Sequence, residues 1–288
     1  MSLDKSRLTI SIVLYKNDVV HIERLTRSLL ECTLSPKVYF IDNSPTKELA
    51  TFIPDNFHYQ WESSNLGFGK AHNVIIQKVI DSGDYHLVMN ADVFFDKGVI
   101  EKIKTFMDCN KSVGLLLPRV LNPDGTAQPL FKLLPHPLDL FVRRFMPNLF
   151  KGIFGNKSKK YAMSFADDKS TFDAPYLSGC FMFLRKKALQ EVGSFDPRFF
   201  LYCEDIDLSR RVRMSWRTIY YADASIYHYF YKGSYKELRL LYHHVISAVK
   251  YFNKHGWLID ADRAQINRET LEGFSSEKKE ALLSITKR

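Results

Sequence analysis

The chain has 288 residues, 45% hydrophobic and 25% charged, with 41 Lys and Arg against 32 Asp and Glu for a formal net charge of +9. That balance excludes a disordered tail, a collagen-like fibre and a plain coiled coil. No apolar run approaches the ~20 residues needed to span a bilayer. The basic excess suits phosphates, nucleic acid or an anionic membrane surface without choosing among them.

Taken in chain order, Leu8–Tyr15 reads as a buried strand, too short and too rich in Thr and Ser for the core of a signal sequence. Val19–Leu30 carries Ile22, Leu25 and Leu29 at helical spacing and reads as an amphipathic helix. Val38–Ile41 is a second strand, closed by the turn Asp42-Asn43-Ser44-Pro45, and His58–Trp61 a third. Ala71–Ile80 reads as a helix, and Tyr85–Met89 and Val113–Leu117 as two further strands. Strands separated by helices predict an α/β fold, a mostly parallel central sheet flanked by helices. Such sheets bind ligands beyond the carboxyl ends of their strands. Asn122-Pro123-Asp124-Gly125 is a tight turn.

Between 135 and 170 the composition shifts. Leu138, Phe141, Phe145, Phe150 and Phe154 interleave with Arg143, Arg144, Lys151, Lys157, Lys159 and Lys160. This basic amphipathic insertion suits either a membrane interface or a helix pair packed on the sheet. Residues 234–255 read as one long helix and 260–288 as a charged helical extension. The expected division is a catalytic domain over 1–232 and a C-terminal helical region over 233–288. Cys32, Cys109, Cys180 and Cys203 make no C-x-x-C pair, which fits a reducing compartment. The expected location is cytoplasmic, with peripheral contact at the inner face of the membrane.

Four constellations carry chemistry. Asn90-Ala91-Asp92 follows an apolar strand directly, so Asp92 stands where a carboxylate can hold Mg²⁺ or Mn²⁺ against diphosphate oxygens, or simply ends the strand. Glu204-Asp205-Ile206-Asp207 follows the aromatic run Phe199-Phe200-Leu201-Tyr202. Acids are favoured at a helix start, and Asp207 is spaced to pair with Arg211. Crowded carboxylates also raise one another's pKa, which suits a general base. Asn65-Leu66-Gly67-Phe68-Gly69-Lys70-Ala71-His72-Asn73 opens a helix with two glycines and a cation, a loop able to meet a phosphate or to serve only as a turn. His228 lies among aromatics about twenty residues after the acids, either a packed core histidine or a metal ligand.

In this order the stretches SIVLYKND, FIDNS, NLGFGKAHN, HLVMNADVFF, YLSGCFMFLRK and GSFDPRFFLYCEDIDLSRRVR resemble glycosyltransferase family 2, inverting nucleotide-sugar transferases of the Rossmann-like GT-A fold. The resemblance covers roughly residues 8–255, and within the family it is closest to rhamnosyltransferases of O-antigen and other surface polysaccharides. It implies that Asp205 is the catalytic base with Glu204 beside it. It implies that Tyr15, Asp42, Asn65, Gly67, Asn73, Asn90 and Asp92 hold the nucleotide-sugar, and that Leu177, Ser178 and Gly179 line the acceptor side. Asp92 and His228 are the implied ligands of Mg²⁺ or Mn²⁺. Asn90 replaces the first Asp of the family's Asp-x-Asp motif, which leaves fewer acidic ligands. The implied partners are a dTDP- or UDP-linked sugar, first dTDP-rhamnose, and a saccharide acceptor on a lipid diphosphate carrier.

Three other readings compete. A nucleotidyltransferase would need a glycine-rich basic loop after the first strand, where Lys16-Asn17-Asp18 stands. A nucleic-acid-binding protein is suggested only by the charge, and no readout motif accompanies it. A catalytically silent carbohydrate-binding relative is disfavoured by the presence of both Asp92 and Asp205.

Overall fold

The computed structural model describes residues 8–140, 151–229 and 237–286. Its elements, in chain order, begin with strand β1 (Leu8–Leu14), helix α1 (Val19–Leu30), β2 (Lys37–Asp42) and β3 (His58–Trp61). Then come α2 (Phe68–Val79), β4 (Tyr85–Asn90), β5 (Val93–Phe94), α3 (Val99–Cys109), β6 (Val113–Leu121) and β7 (Phe131–Lys132). They continue through α4 (Lys151–Tyr161), β8 (Phe172–Asp173), β9 (Tyr176–Leu177), β10 (Phe181–Arg185), α5 (Lys186–Val192) and α6 (Glu204–Arg213). β11 (Arg217–His228), α7 (Leu238–His255) and α8 (Ala261–Thr286) complete them.

Among the described residues one nine-stranded sheet runs β3-β2-β1-β4-β10-β6-β11-β5, with β8 paired on β11, and β7 and β9 form a separate two-stranded sheet. β1, β2, β3 and β4 pair in parallel. β10 is antiparallel to both β4 and β6, and β6 is parallel to β11. Hence β1, β2, β3, β4, β6 and β11 share one direction, and their carboxyl ends form one edge. The reversal of β10 has a consequence for the site: it brings the residues before Phe181 to that same edge.

β1 has Leu8, Ile10, Ile12 and Leu14 buried in the main core, as expected for a strand covered on both faces. Its other face carries Thr9 and Ser11. Thr9 Oγ1 meets His86 Nδ1 at 2.8 Å, and Ser11 Oγ meets His86 Nε2 at 2.8 Å and His72 Nδ1 at 2.7 Å. Burial pushes His72 down to about 3 and His86 well below its ordinary value, so both rings are neutral. α1 begins where the side chain of Asp18 accepts from the Val20 N–H, and it buries Ile22, Leu25 and Leu29, the face its spacing predicts.

α2 starts at Phe68, three residues before the expected Ala71, because Gly69 is in the helix. A Cβ at Gly69 would lie 2.8 Å from Phe195 Cβ, so the close approach of the 195–200 loop needs glycine there. The strand expected at Val113–Leu117 continues to Leu121, and Asn122 closes its turn by accepting from the Gly125 N–H. Residues 141–150 of the basic insertion lie outside the described residues, as do 234–236 at the start of the expected long helix. α8 is tied to α6 by a buried two-pronged ion pair: Arg210 reaches both Asp260 oxygens at 2.6 Å.

Candidate active site

Two carboxylate centres face one another across Gly179 and Cys180 at the carboxyl edge of the sheet. The first is Asp92, in the turn between β4 and β5. β5 pairs antiparallel with the end of β11, Val93 opposite His228, and the Tyr229 N–H donates to the Asp92 carbonyl at 3.0 Å. That pairing sets His228 Nε2 3.4 Å from Asp92 Oδ1. Gln128 fixes the ring. Its amide nitrogen donates to the carbonyl of His228 at 2.7 Å and to Asn122 Oδ1 at 2.6 Å, so its oxygen faces His228 Nδ1 at 3.1 Å. With Nδ1 turned to that oxygen, Nε2 faces Asp92. Asp92 Oδ1 is buried and accepts no hydrogen bond. An imidazole nitrogen and a carboxylate oxygen aimed at one point fit a divalent cation, with positions left for phosphate oxygens. No cluster of three or more His, Cys, Asp or Glu able to hold a metal occurs among the described residues.

The second centre is at the start of α6. The chain enters this helix through Tyr202 and Cys203, both in the left-handed region at φ 70° and 66°. Two non-glycine residues held there cost of order 1–3 kcal/mol each, and such strain gathers at functional sites. The turn presents Glu204 and Asp205 side by side but in different surroundings. Asp205 Oδ2 accepts from the Gly179 N–H at 3.0 Å and from the Tyr176 hydroxyl at 3.1 Å, and Oδ1 accepts from the Ile206 N–H at 2.9 Å. Glu204 is 5% exposed, and its Oε2 has no partner. Burial, then the charge of Asp205, pushes Glu204 up to about 8. Burial also raises Asp205, but its three donors and the charge of Lys132 pull it back. Asp205 therefore ionises first, and Glu204 keeps its proton near neutral pH.

Asp207 is a structural acid. It is fully buried and bonded to Arg211 Nε at 2.8 Å, Lys254 Nζ at 2.6 Å and His255 Nε2 at 2.7 Å. Burial alone would raise it, yet the hydrogen bond from His255 and the charges of Arg211 and Lys254 hold it down at about 2. The expected pairing with Arg211 is thus one of three. Cys180 lies between the two centres: burial pushes its thiol up to about 12, and the charges of Asp92 and Asp205 both add to the rise. The Asn90 N–H donates to the Cys180 carbonyl at 2.9 Å, which fastens the end of β4 to this spacer.

The remaining sequence-derived residues surround these centres. Leu177 is buried and bonded through both its N–H and carbonyl to Ser209 Oγ, which fastens β9 to α6. The Ser178 N–H donates to the Leu130 carbonyl, and its hydroxyl accepts from the Cys180 N–H. Gly179 is packed on Asp205: a Cβ there would lie 3.2 Å from Asp205 Cβ. Gly67, at φ +82°, admits the Phe200 carbonyl, which a Cβ would meet at 2.2 Å. Asn65 caps this turn by accepting from the Gly67 N–H at 2.8 Å. Asn73 spends both ends of its amide on the Phe195 backbone, at 2.7 and 3.0 Å. Its side chain therefore holds the loop before Glu204 and does not itself project into the cleft. Asp42 is fully buried and accepts from the Tyr59 hydroxyl at 2.7 Å and the Ser44 N–H at 2.8 Å. Tyr15 is 39% exposed at the end of β1, beside Lys16, whose N–H donates to Ser44 Oγ.

Three residues that sequence reasoning did not single out complete the site. Tyr176 opens the YLSGCFMFLRK stretch, so its signal was in hand. Gln128 and Lys132 lie in a short excursion with no pattern to mark them, and they matter only through the pairing of β7 with β9 and of β5 with β11.

Comparison with known proteins places this geometry. Solved structures of the same fold include GalNAc-T7 with UDP, GalNAc and Mn²⁺ (TM-score 0.56, 12% identity, 77% of this chain and 42% of that one). The mannosyltransferase PcManGT of Pyrobaculum calidifontis with GDP-Man and Mn²⁺ matches at TM-score 0.59 and 14% identity, over 92% of this chain and 69% of that one. The sheet is thus that of the GT-A glycosyltransferases. The sequence model of the family described as "Glycosyltransferase like family 2" matches residues 62–242, well over half of the chain. The chain belongs to that family and is a glycosyltransferase. A curated relative, the N-acetylglucosaminyl-diphospho-decaprenol L-rhamnosyltransferase of Mycobacterium tuberculosis, is 28% identical over 232 residues, 73% of this chain and 72% of the relative. A second, the low-salt glycan biosynthesis hexosyltransferase Agl10 of Haloferax volcanii, is 24% identical over 60% of this chain and 52% of its own length.

Proposed function

We propose that the protein is an inverting rhamnosyltransferase that moves L-rhamnose from dTDP-rhamnose to a saccharide on a lipid diphosphate carrier, in the synthesis of O-antigen or another surface polysaccharide. The observation that carries this reading is the Asp205 carboxylate, held by the Gly179 N–H and the Tyr176 hydroxyl, with both it and Asp92 close enough to Cys180 to act on its thiol. An acceptor hydroxyl is a poor nucleophile at neutral pH. Asp205 takes its proton as the oxygen attacks the anomeric carbon, a contribution of roughly 10²–10⁴-fold. Attack from the side opposite the leaving nucleoside diphosphate inverts the anomeric configuration. Glu204, protonated beside it, adds no second negative charge to the pair. Asp92 and His228 would hold Mg²⁺ or Mn²⁺, which when bound stabilises charge on a leaving diphosphate.

Tyr15 and Asp42 cradle the base, Asp42 by shaping the pocket through Ser44 and Tyr59. Asn65, Gly67, Asn73 and Asn90 set the donor side, and Leu177, Ser178 and Gly179 the acceptor side. Rhamnose and the lipid diphosphate are supported by the activity of the mycobacterial relative. The catalytic unit is residues 1–232, and the C-terminal helical region is 233–288, tied to it through Arg210 and Asp260. No helix among the described residues is long and apolar enough to cross a membrane, and the acceptor is reached by peripheral contact at the inner face.

The test is thermal melting with dTDP, UDP and GDP, each with and without Mn²⁺. A ligand at 100 times its Kd adds about 2.7 kcal/mol. A metal-dependent shift with dTDP alone is expected. A shift with UDP alone would replace the donor sugar, and no shift with any of the three would remove the reading.

A further inference from the structure

The turn between α7 and α8 exposes three consecutive apolar side chains, Trp257 at 39%, Leu258 at 75% and Ile259 at 91%. Gly256 makes the turn possible: its φ is +100°, and a Cβ there would lie 2.4 Å from the Ile259 carbonyl. The buried Arg263 guanidinium fills the inside of the turn and donates to the carbonyls of Trp257, Leu258 and Pro135. The turn's inner carbonyls are thereby satisfied by the protein while its side chains point outward. Arg263 also joins the turn to the segment that ends in Leu138, itself 46% exposed. Trp257 stacks near Phe252 and donates its indole N–H to Asn253.

The surroundings are basic. Lys157, Lys159 and Lys160 are exposed at the end of α4. Lys157 and Arg263 both lie close enough to His136 to push it down, adding to burial. The nearby acids are engaged: Asp139 accepts from the His136 N–H, and Asp260 and Asp262 face Arg210.

We propose that the Trp257-Leu258-Ile259 turn is a wedge that docks the protein on an anionic lipid bilayer. Aliphatic side chains that protrude this far, with an indole next to them and Lys157 facing the same His136 as the Arg263 inside the turn, suit the headgroup boundary, where Trp is enriched and each nearby Lys or Arg adds attraction. A second copy of the chain fits less well, because a protruding turn of this size buries far less than the ~1,000 Å² of a stable protein interface. The segment from Lys132, whose ammonium lies over the Tyr176 ring, to Leu138 links the site to the wedge. The inference rests on the proposed function only in saying why a bilayer is needed, to present a lipid-linked acceptor.

The experiment is sedimentation of the whole protein with vesicles of equal parts phosphatidylglycerol and phosphatidylcholine at low salt, for the wild type and for Leu258→Glu with Ile259→Glu. These residues are exposed, so the double variant should fold and melt as the wild type does. The expected result is co-sedimentation of the wild type and a loss of about tenfold or more in the double variant. Equal binding by both, or no binding by the wild type, would overturn the proposal. So would self-association of the wild type that the variant abolishes without a change in vesicle binding. Both proteins should turn over a water-soluble, short-chain acceptor equally. Failure of both on that acceptor would count against the functional reading and leave the vesicle result standing.

Discussion

Asp207→Asn tests how the helix that carries the candidate base is held. Asp207 is fully buried with Arg211, Lys254 and His255 all within 2.8 Å, and its carboxyl sits at about 2 against an ordinary 3.8. A shift of this size is worth about 2 kcal/mol to the folded state. The folded pKa is depressed, so this stability is fully present above about pH 4 and is lost as pH falls toward 2. Asparagine keeps the shape but removes the charge, and it leaves Arg211 and Lys254 facing a neutral amide. Breaking a buried pair in this way costs about 3–5 kcal/mol at neutral pH. At about 2–4 °C per kcal/mol for a chain of this size, the melting temperature should fall by roughly 6–20 °C. The assay is thermal unfolding at pH 7 and at a series of values down to pH 3. The gap between wild type and variant should narrow as the pH falls, because the unfolded wild type then gains a proton that the folded carboxyl, at about 2, does not yet take up. A variant as stable as the wild type at pH 7, or a gap that stays constant with pH, would refute the reasoning.

Glu204→Gln should do the opposite. Glu204 is raised from 4.5 to about 8, so the wild type loses stability as pH rises between those values and the glutamine variant does not. Its melting temperature should match the wild type near pH 4 and exceed it near pH 8, as scanning calorimetry would record. Asp260→Ala leaves Arg210 buried without its counter-charge and should cost about 3–5 kcal/mol in chemical denaturation, whereas Asp262→Ala, whose 3.4 Å contact is at an exposed side chain, should cost under about 1 kcal/mol. Gly179→Ala places a methyl 3.2 Å from Asp205 Cβ and 3.5 Å from Oδ2, so kcat should fall with little change in donor binding by calorimetry.

Much of the nucleotide half of the fold is legible because its signals are local. Asp18 caps α1 and Ile22, Leu25 and Leu29 mark its face, and His58–Trp61 is a strand in both readings. Elements defined by long-range pairing are not legible in this way. Phe181–Arg185 is buried throughout, and a short apolar run carries no periodicity to show a strand, still less an antiparallel one between two parallel neighbours. Thr218–Tyr221 marks only the start of β11, because the register shift between Tyr221 and Ser225 breaks the alternation. The site divides along the same line. Asp92 and Asp205 stand out as acids at strand and helix ends. The different environments of Glu204, Asp205 and Asp207 come from Gly179, Tyr176 and Lys254, which lie far away in sequence.

The central claim is that Asp205 is the base, and Asp205→Asn tests it most directly. Asparagine can still accept from the Gly179 N–H and the Tyr176 hydroxyl, so the turn is kept while the proton acceptor is lost. Transfer should be measured beside binding of dTDP with Mn²⁺. The expected result is a loss of transfer of roughly 10²-fold or more with binding unchanged. Near-normal transfer by the variant would contradict the account.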